Sequence, residues 1–266
     1  MKYIRLILVI FCLLPLRVWA SDSTSTSHKL IHAQWYSHSE QFYRFVDIYV
    51  PPACAEKAVD DSSDDYYPVL YLLPGIGGYE GSWEEMANAC DTLDSLIASG
   101  RCKPTILVMP DCGRWPVMSR PSYHNRTLWT CMLRYPGLIH EHQVEYALSD
   151  LIDMIDTTFC VSSCTVAGLS DGARMAINLA NKRPDRIRKL AVFSPVWYKD
   201  QIPQDSTQTY YIYAGKRDYF YPYGQRFLRF LEQTGQPHQW IVFDEKHNWP
   251  MWRKCLSHYL QCLKTE

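Results

Sequence analysis

The chain has no excess of charge of either sign: 27 basic and 28 acidic residues among 266 leave a formal net charge of −1. It therefore lacks the basic surface that binding to nucleic acid requires. Beyond the first twenty residues it lacks any apolar run of the roughly 20 residues needed to span a bilayer. Its ten cysteines lack the paired CxxC spacing of a structural zinc site. What remains is a chain that is 47% hydrophobic, ample for one large domain with a real core.

The first twenty residues stand apart. Lys2 and Arg5 precede an apolar run from Leu6 to Leu16, and Val18-Trp19-Ala20 ends in a small residue. That order reads as a secretory signal peptide cleaved near Ala20, with residues 21–266 as a single domain. Cleavage removes Lys2, Arg5 and Arg17 and no acidic residue, so the mature chain is more acidic, and secreted or periplasmic. Export permits disulfides among the nine remaining cysteines, and the odd number leaves a free thiol or an intermolecular bridge. Cys160 and Cys164, flanking a short turn, are a candidate pair. Cys255 and Cys262 lie seven residues apart on one helix, roughly 10 Å between Cα atoms, too far to bridge.

Hydrophobic periodicity sets the architecture. Leu30 to Val50 alternates and is rich in aromatic residues, predicting two strands joined near Ser37-His38-Ser39-Glu40. Ala58 to Tyr67 holds four aspartates and no apolar period, which predicts a solvated loop. Val69-Leu70-Tyr71-Leu72-Leu73 and Thr105 to Met109 are continuous apolar runs, the mark of strands covered on both faces. Between them, Trp83 to Ser99 has helical spacing, with Met86, Ala89, Cys90, Leu93, Leu96 and Ile97 inward and Gly100 as cap. Residues 112–140 show no steady period and predict a long loop. Beyond it, helical and strand patterns alternate to a closing helix over 252–263. The alternation predicts an α/β fold: a mostly parallel central sheet with helices on both faces and no separate cap domain.

Within that frame, Gly168-Leu169-Ser170-Asp171-Gly172 falls between a strand and a helix. A Gly-x-Ser-x-Gly turn in this place presents a serine hydroxyl on a sharp bend at the sheet edge. A serine is a feeble nucleophile until a base takes its proton, and that base needs an orienting carboxylate. The expected chain order is serine, acid, histidine, each after a strand. Asp218 follows the apolar run 210–214, and His247 follows 240–243. Asp244 is the rival acid, but it is too close in sequence to reach round the His247 ring. Ser194 is the rival nucleophile, at a strand end without flanking glycines. The oxyanion hole is assigned to the backbone N–H groups of Asp171 and of Ile76, in the glycine-rich turn after residue 73. The Asp171 side chain is expected to face outward, where it favours the positive end of the helix dipole.

Three stretches together, Tyr67 to Gly75, Gly168 to Gly172 and His247-Asn248-Trp249-Pro250-Met251-Trp252, resemble the esterase D-type esterase family. That resemblance covers roughly residues 40 to 264 and implies the α/β-hydrolase fold. The family includes feruloyl and acetyl esterases, formylglutathione hydrolases and mycobacterial mycolyltransferases. By resemblance Ser170 is the nucleophile, Asp218 the acid and His247 the base, with Ile76 and Asp171 giving the oxyanion N–H groups. Pro74 stands where members often have histidine, and Asp171 where many have methionine. Both departures bear on pocket shape and substrate.

The expectation is a secreted serine hydrolase that cleaves carboxylic esters through an acyl-enzyme, with no cofactor and no metal. Trp115, Trp129 and Trp249 are candidate substrate-binding residues and suggest a sugar or phenolic ligand, as in acyl esters on plant polysaccharide. The partner would be such a small-molecule or polysaccharide-linked ester. An acyltransferase to a sugar acceptor, and a non-catalytic carbohydrate-binding protein on the same fold, are the alternatives.

Overall fold

The computed structural model describes residues 16–19, 29–52, 54, 66–112, 144–197, 202–203 and 205–265. Among these residues nine strands form one sheet: β1 (Leu16–Trp19), β2 (Lys29–Ser37), β3 (Phe42–Val50), β4 (Tyr67–Leu73), β5 (Ile106–Pro110), β6 (Val161–Leu169), β7 (Ile187–Phe193), β8 (Thr209–Gly215) and β9 (His238–Phe243). Their order across the sheet is β1-β2-β3-β5-β4-β6-β7-β8-β9. β1 to β3 are antiparallel, and β3 is antiparallel to β5. All pairings from β5 to β9 are parallel. β1 lies in the stretch read as a signal peptide, so cleavage near Ala20 would leave an eight-stranded sheet with β2 at its edge.

Among the described residues six α-helices cover the two faces: α1 (Ser82–Ala87), α2 (Ala89–Ala98), α3 (Val144–Thr158), α4 (Asp171–Lys182), α5 (Tyr221–Thr234) and α6 (Trp249–Cys262). Side-chain alternation along each strand feeds two cores. Val69, Tyr71, Val166, Leu190, Val192 and Ile212 pack under α3, α4 and α5. Leu70, Leu72, Ala167, Phe193 and Tyr213 pack under α1, α2 and α6. Residues buried on both sides explain why the central strands read as unbroken apolar runs.

The strand order reverses between β4 and β6. From β4 the chain moves to β5 on one side, and from β6 onward it advances on the other. The carboxyl ends of β4 and β6 are therefore neighbours at a topological switch point, where open α/β sheets place their ligands.

Two expectations need correction. The helix predicted over 83–99 is two helices, because Asn88 adopts a left-handed conformation (φ 49°, ψ 52°) and donates its N–H to the Glu84 carbonyl. The second helix restarts with the Glu84 carboxylate accepting from the Cys90 amide at 2.9 Å. That break turns Met86, expected inward, to the surface. Cys160 and Cys164 are both free. Cys160 directly precedes β6 and Cys164 lies four residues on, within the extended strand, roughly 13 Å at about 3.3 Å per residue, so the two cannot be joined. The predicted solvated loop and the long loop lie almost wholly outside the described residues.

Candidate active site

Ser170 sits between β6 and α4 with φ 53° and ψ −115°. For a residue with a Cβ this is a sparsely populated conformation, held only because its surroundings dictate it. The Ser170 amide donates to the Phe193 carbonyl at 2.9 Å, and the glycines on either side remove steric bulk. A Cβ on Gly168 would overlap the Gly172 carbonyl, and one on Gly172 would overlap the Pro74 carbonyl at the end of β4. The glycines thus let strand, turn and helix close on one another with the serine at the apex.

Beyond β8, the Asp218 amide bonds the Gly215 carbonyl at 3.0 Å. Beyond β9, Asn248 caps α6 by accepting from the Met251 amide at 3.2 Å, which anchors the residue before it, His247. Two cross-links join these segments: Lys216 N–H to the Phe243 carbonyl at 2.8 Å, and Arg217 N–H to the Glu245 carbonyl at 2.9 Å. Asp218 and His247 are therefore carried on one laced pair of loops.

His247 Nδ1 is 2.9 Å from Asp218 Oδ2, and His247 Nε2 is 3.2 Å from Ser170 Oγ. An ionised carboxylate can only accept, so Nδ1 carries the proton and Nε2 is left to accept from the serine hydroxyl. Burial alone would raise the Asp218 pKa. Hydrogen bonds from His247, the Phe220 amide and Ser194 outweigh that effect and hold the carboxyl below its usual value. Asp244, the rival acid, instead pairs with Arg217 at 3.1 Å on the surface. His238 bonds the Gln236 carbonyl, and His258 lies beside the Tyr213 hydroxyl. Of the candidate acids and histidines after the serine, only Asp218 and His247 are brought to it.

The turn after β4 reaches the same point. A Cβ built on Gly75 would lie 3.4 Å from Ser170 Cβ, so this backbone passes beside the serine, and Ile76 follows it. Asp171 begins α4, where an amide has no carbonyl one helical turn earlier to bond. The Asp171 side chain does not face outward as expected. It is 12% exposed, and Arg174 Nε donates to its Oδ1 at 3.0 Å. An acidic group beside the serine is thereby held against a guanidinium.

Among the described residues, three rings surround His247. Phe220 and Tyr219 both have centroids 4.9 Å away, and Trp252 is edge-on at 5.0 Å. Tyr219 is 69% exposed. Tyr219 and Phe220 were missed in the sequence, although they directly follow Asp218. Trp249 is partly buried and packs edge-on against Trp83 at 5.5 Å and Trp252 at 5.2 Å. Trp115 and Trp129 lie outside the described residues.

Comparison with known proteins bears on the family and the fold. Residues 44–244 match the esterase family model described as "Putative esterase", which ends just short of His247. A curated endo-1,4-beta-xylanase/feruloyl esterase of Xylanibacter ruminicola is 26% identical over 235 residues. The alignment covers 86% of this chain and 30% of that protein, so this chain spans under a third of its relative's length. A solved ferulic acid esterase superposes with a TM-score of 0.69 at 19% identity, covering 91% of this chain and 99% of that one. An S-formylglutathione hydrolase of Staphylococcus aureus superposes with a TM-score of 0.68 at 14% identity, covering 90% and 100%. With the family match running over most of its length and the fold shared with both solved enzymes, the chain belongs to this esterase family and has the α/β-hydrolase fold.

Proposed function

We propose that the protein is a serine hydrolase that cleaves carboxylic esters through an acyl-enzyme intermediate. The observation that carries this reading is the hydrogen-bonded series from Asp218 through His247 to Ser170, with spacings of 2.9 Å and 3.2 Å. In the first half-reaction Ser170 Oγ attacks the ester carbonyl carbon as its proton passes to His247 Nε2. The carbonyl oxygen becomes an oxyanion facing the N–H groups of Asp171 and Ile76, where each donor is worth roughly 100- to 1,000-fold in rate. His247 returns the proton to the departing alcohol as the carbon–oxygen bond breaks. Water then attacks the acyl carbon as its proton passes to His247, and His247 returns that proton to Ser170 Oγ as the acyl–Oγ bond breaks, releasing the acid and the free serine.

The substrate class is an ester with an aromatic acyl group, of the feruloyl type, linked to polysaccharide. Two observations support it: the exposed Tyr219 ring beside His247, and the feruloyl esterase names of the sequence relative and of a structural neighbour. Export fits a polysaccharide substrate and rests on the Lys2 to Ala20 leader. The test is a fluorophosphonate probe, which should label Ser170 covalently, followed by hydrolysis assays with acetyl, feruloyl and longer acyl esters. Absence of labelling in folded protein would overturn the serine mechanism.

A further inference from the structure

His247 is tied to its acid by one hydrogen bond, 2.9 Å from Nδ1 to Asp218 Oδ2, and its other ring nitrogen stands 3.2 Å from Ser170 Oγ. One bond leaves an imidazole free to tilt about it, and a displacement of about 1 Å at the reacting atoms costs about 100-fold in rate. Packing must therefore hold the ring, and two aromatic side chains from separate elements meet it. Phe220, just before α5, has its centroid 4.9 Å away at an interplanar angle of 75°. Trp252, in the first turn of α6, lies 5.0 Å away at 89°. Both angles give the edge-to-face arrangement that aromatic pairs favour.

We propose that Phe220 and Trp252 are positioning residues for the ester hydrolysis, bracing the His247 imidazole so that Nε2 stays aimed at Ser170. The inference rests on the serine-hydrolase reading above. Each ring is itself fixed. The Phe220 amide donates to Asp218 Oδ1 at 2.8 Å, a local turn in which an aspartate bonds the amide two residues on. That turn carries the Phe220 ring against His247, so one residue holds the acid by its backbone and the base by its side chain. The Phe220 ring also meets Tyr223, in the first turn of α5, at 5.7 Å and 83°. Trp252 is buried, and its indole N–H donates to Ser194 Oγ at 3.2 Å. Ser194, just past β7, is 2% exposed, so the hydroxyl that looked like a rival nucleophile is shut off from substrate and serves as an acceptor. Trp249 meets the indole edge-on at 5.2 Å. The residue before Ser194, Phe193, accepts the Ser170 amide at 2.9 Å. Two consecutive residues at the end of β7 thus seat the nucleophile's backbone and the ring beside its base.

The experiment uses the full chain, 4-nitrophenyl acetate and a feruloyl ester, and reads kcat, KM and the low-field proton resonance of the His247–Asp218 hydrogen bond. Phe220→Ala keeps the amide on Asp218 and removes the ring. It should lower kcat about 10- to 100-fold for both esters, with KM within about threefold, and should broaden that resonance. Phe220→Tyr, which restores a ring, should bring kcat back to within about threefold of the parent. Trp252→Phe keeps a ring but removes the indole N–H that orients it, and should lower kcat about 3- to 10-fold, equally for both esters. Because Phe220 acts through the base, adding Phe220→Ala to His247→Ala should slow the enzyme no further. Folded Phe220→Ala with unchanged kcat and resonance would overturn the inference. So would a loss confined to KM for the feruloyl ester, which would make the ring a substrate contact, or a further loss on the His247→Ala background. If Phe220→Ala does not fold, Trp252→Phe carries the same test, with an unchanged kcat overturning the proposal. Ser170→Ala separates the two levels: full activity there overturns the serine mechanism itself. An inactive Ser170→Ala beside a fully active Phe220→Ala overturns only the positioning role.

Discussion

Gly172 lies so close to Pro74 that a Cβ on it would overlap the Pro74 carbonyl. The helix carrying the nucleophile's amide neighbour is thereby pressed onto the turn that carries Ile76. The two proposed oxyanion donors are held by one contact between β4 and α4. Gly168→Ala places a methyl group against the Gly172 carbonyl from the other side and should destabilise the fold by about 3 kcal/mol, as overpacking against backbone does. Urea unfolding of the variant checks this.

Asp218→Asn should lower kcat by about 10,000-fold, because an amide at the acid position favours the wrong imidazole tautomer. Asp244→Asn, which alters only the surface pair with Arg217, should stay within about threefold of the parent. Ester hydrolysis by both variants decides between the two acids. The reverse ranking would move the acid to Asp244.

Acid sensitivity follows from the same carboxylate. The Asp218 pKa is depressed in the fold: burial opposes ionisation, and the hydrogen bonds from His247, Phe220 and Ser194 more than offset it. A depressed carboxyl contributes stability above its unfolded value, about 3.9, and loses it as pH falls through the folded value. Unfolding free energy should thus drop with acidification below about pH 4, and Asp218→Asn should flatten that drop. Urea titrations from pH 6 to pH 3 test it.

Tyr219→Ala should raise KM for aryl esters about 2- to 10-fold, the range of one aromatic contact, with kcat for acetyl esters nearly unchanged. The 69% exposure of this ring predicts a stability change within about 0.5 kcal/mol. Equal effects on feruloyl and acetyl esters would remove Tyr219 from substrate selection.

Asp171→Asn should keep activity within about tenfold, since the backbone amide survives, while losing about 1.5–3 kcal/mol with the charged hydrogen bond to Arg174. Kinetics and thermal unfolding of the same sample separate the two effects.

Much of this was legible in the chain. Unbroken apolar runs such as 69–73 marked the central strands, and the order Ser170, Asp218, His247 placed the site on one sheet edge. The break at Asn88 was not legible. Helical spacing continues across it, and only the left-handed backbone separates the two helices. Arg174 stands three residues after Asp171, a spacing at which helical side chains meet, so the ion pair had a visible signal. Ser194 had none that pointed to Trp252, whose indole N–H it accepts, because that contact depends on how α6 packs over the end of β7.

Ser170 holds a backbone conformation that only glycine adopts without strain. Relieving it, by Ser170→Gly, removes about 1–3 kcal/mol of strain against about 0.5–1 kcal/mol of added chain entropy in the unfolded state. The inactive variant should therefore melt at a higher temperature than the parent. The proposed nucleophile sits on a strained turn of the backbone, and silencing the site should leave a sturdier protein.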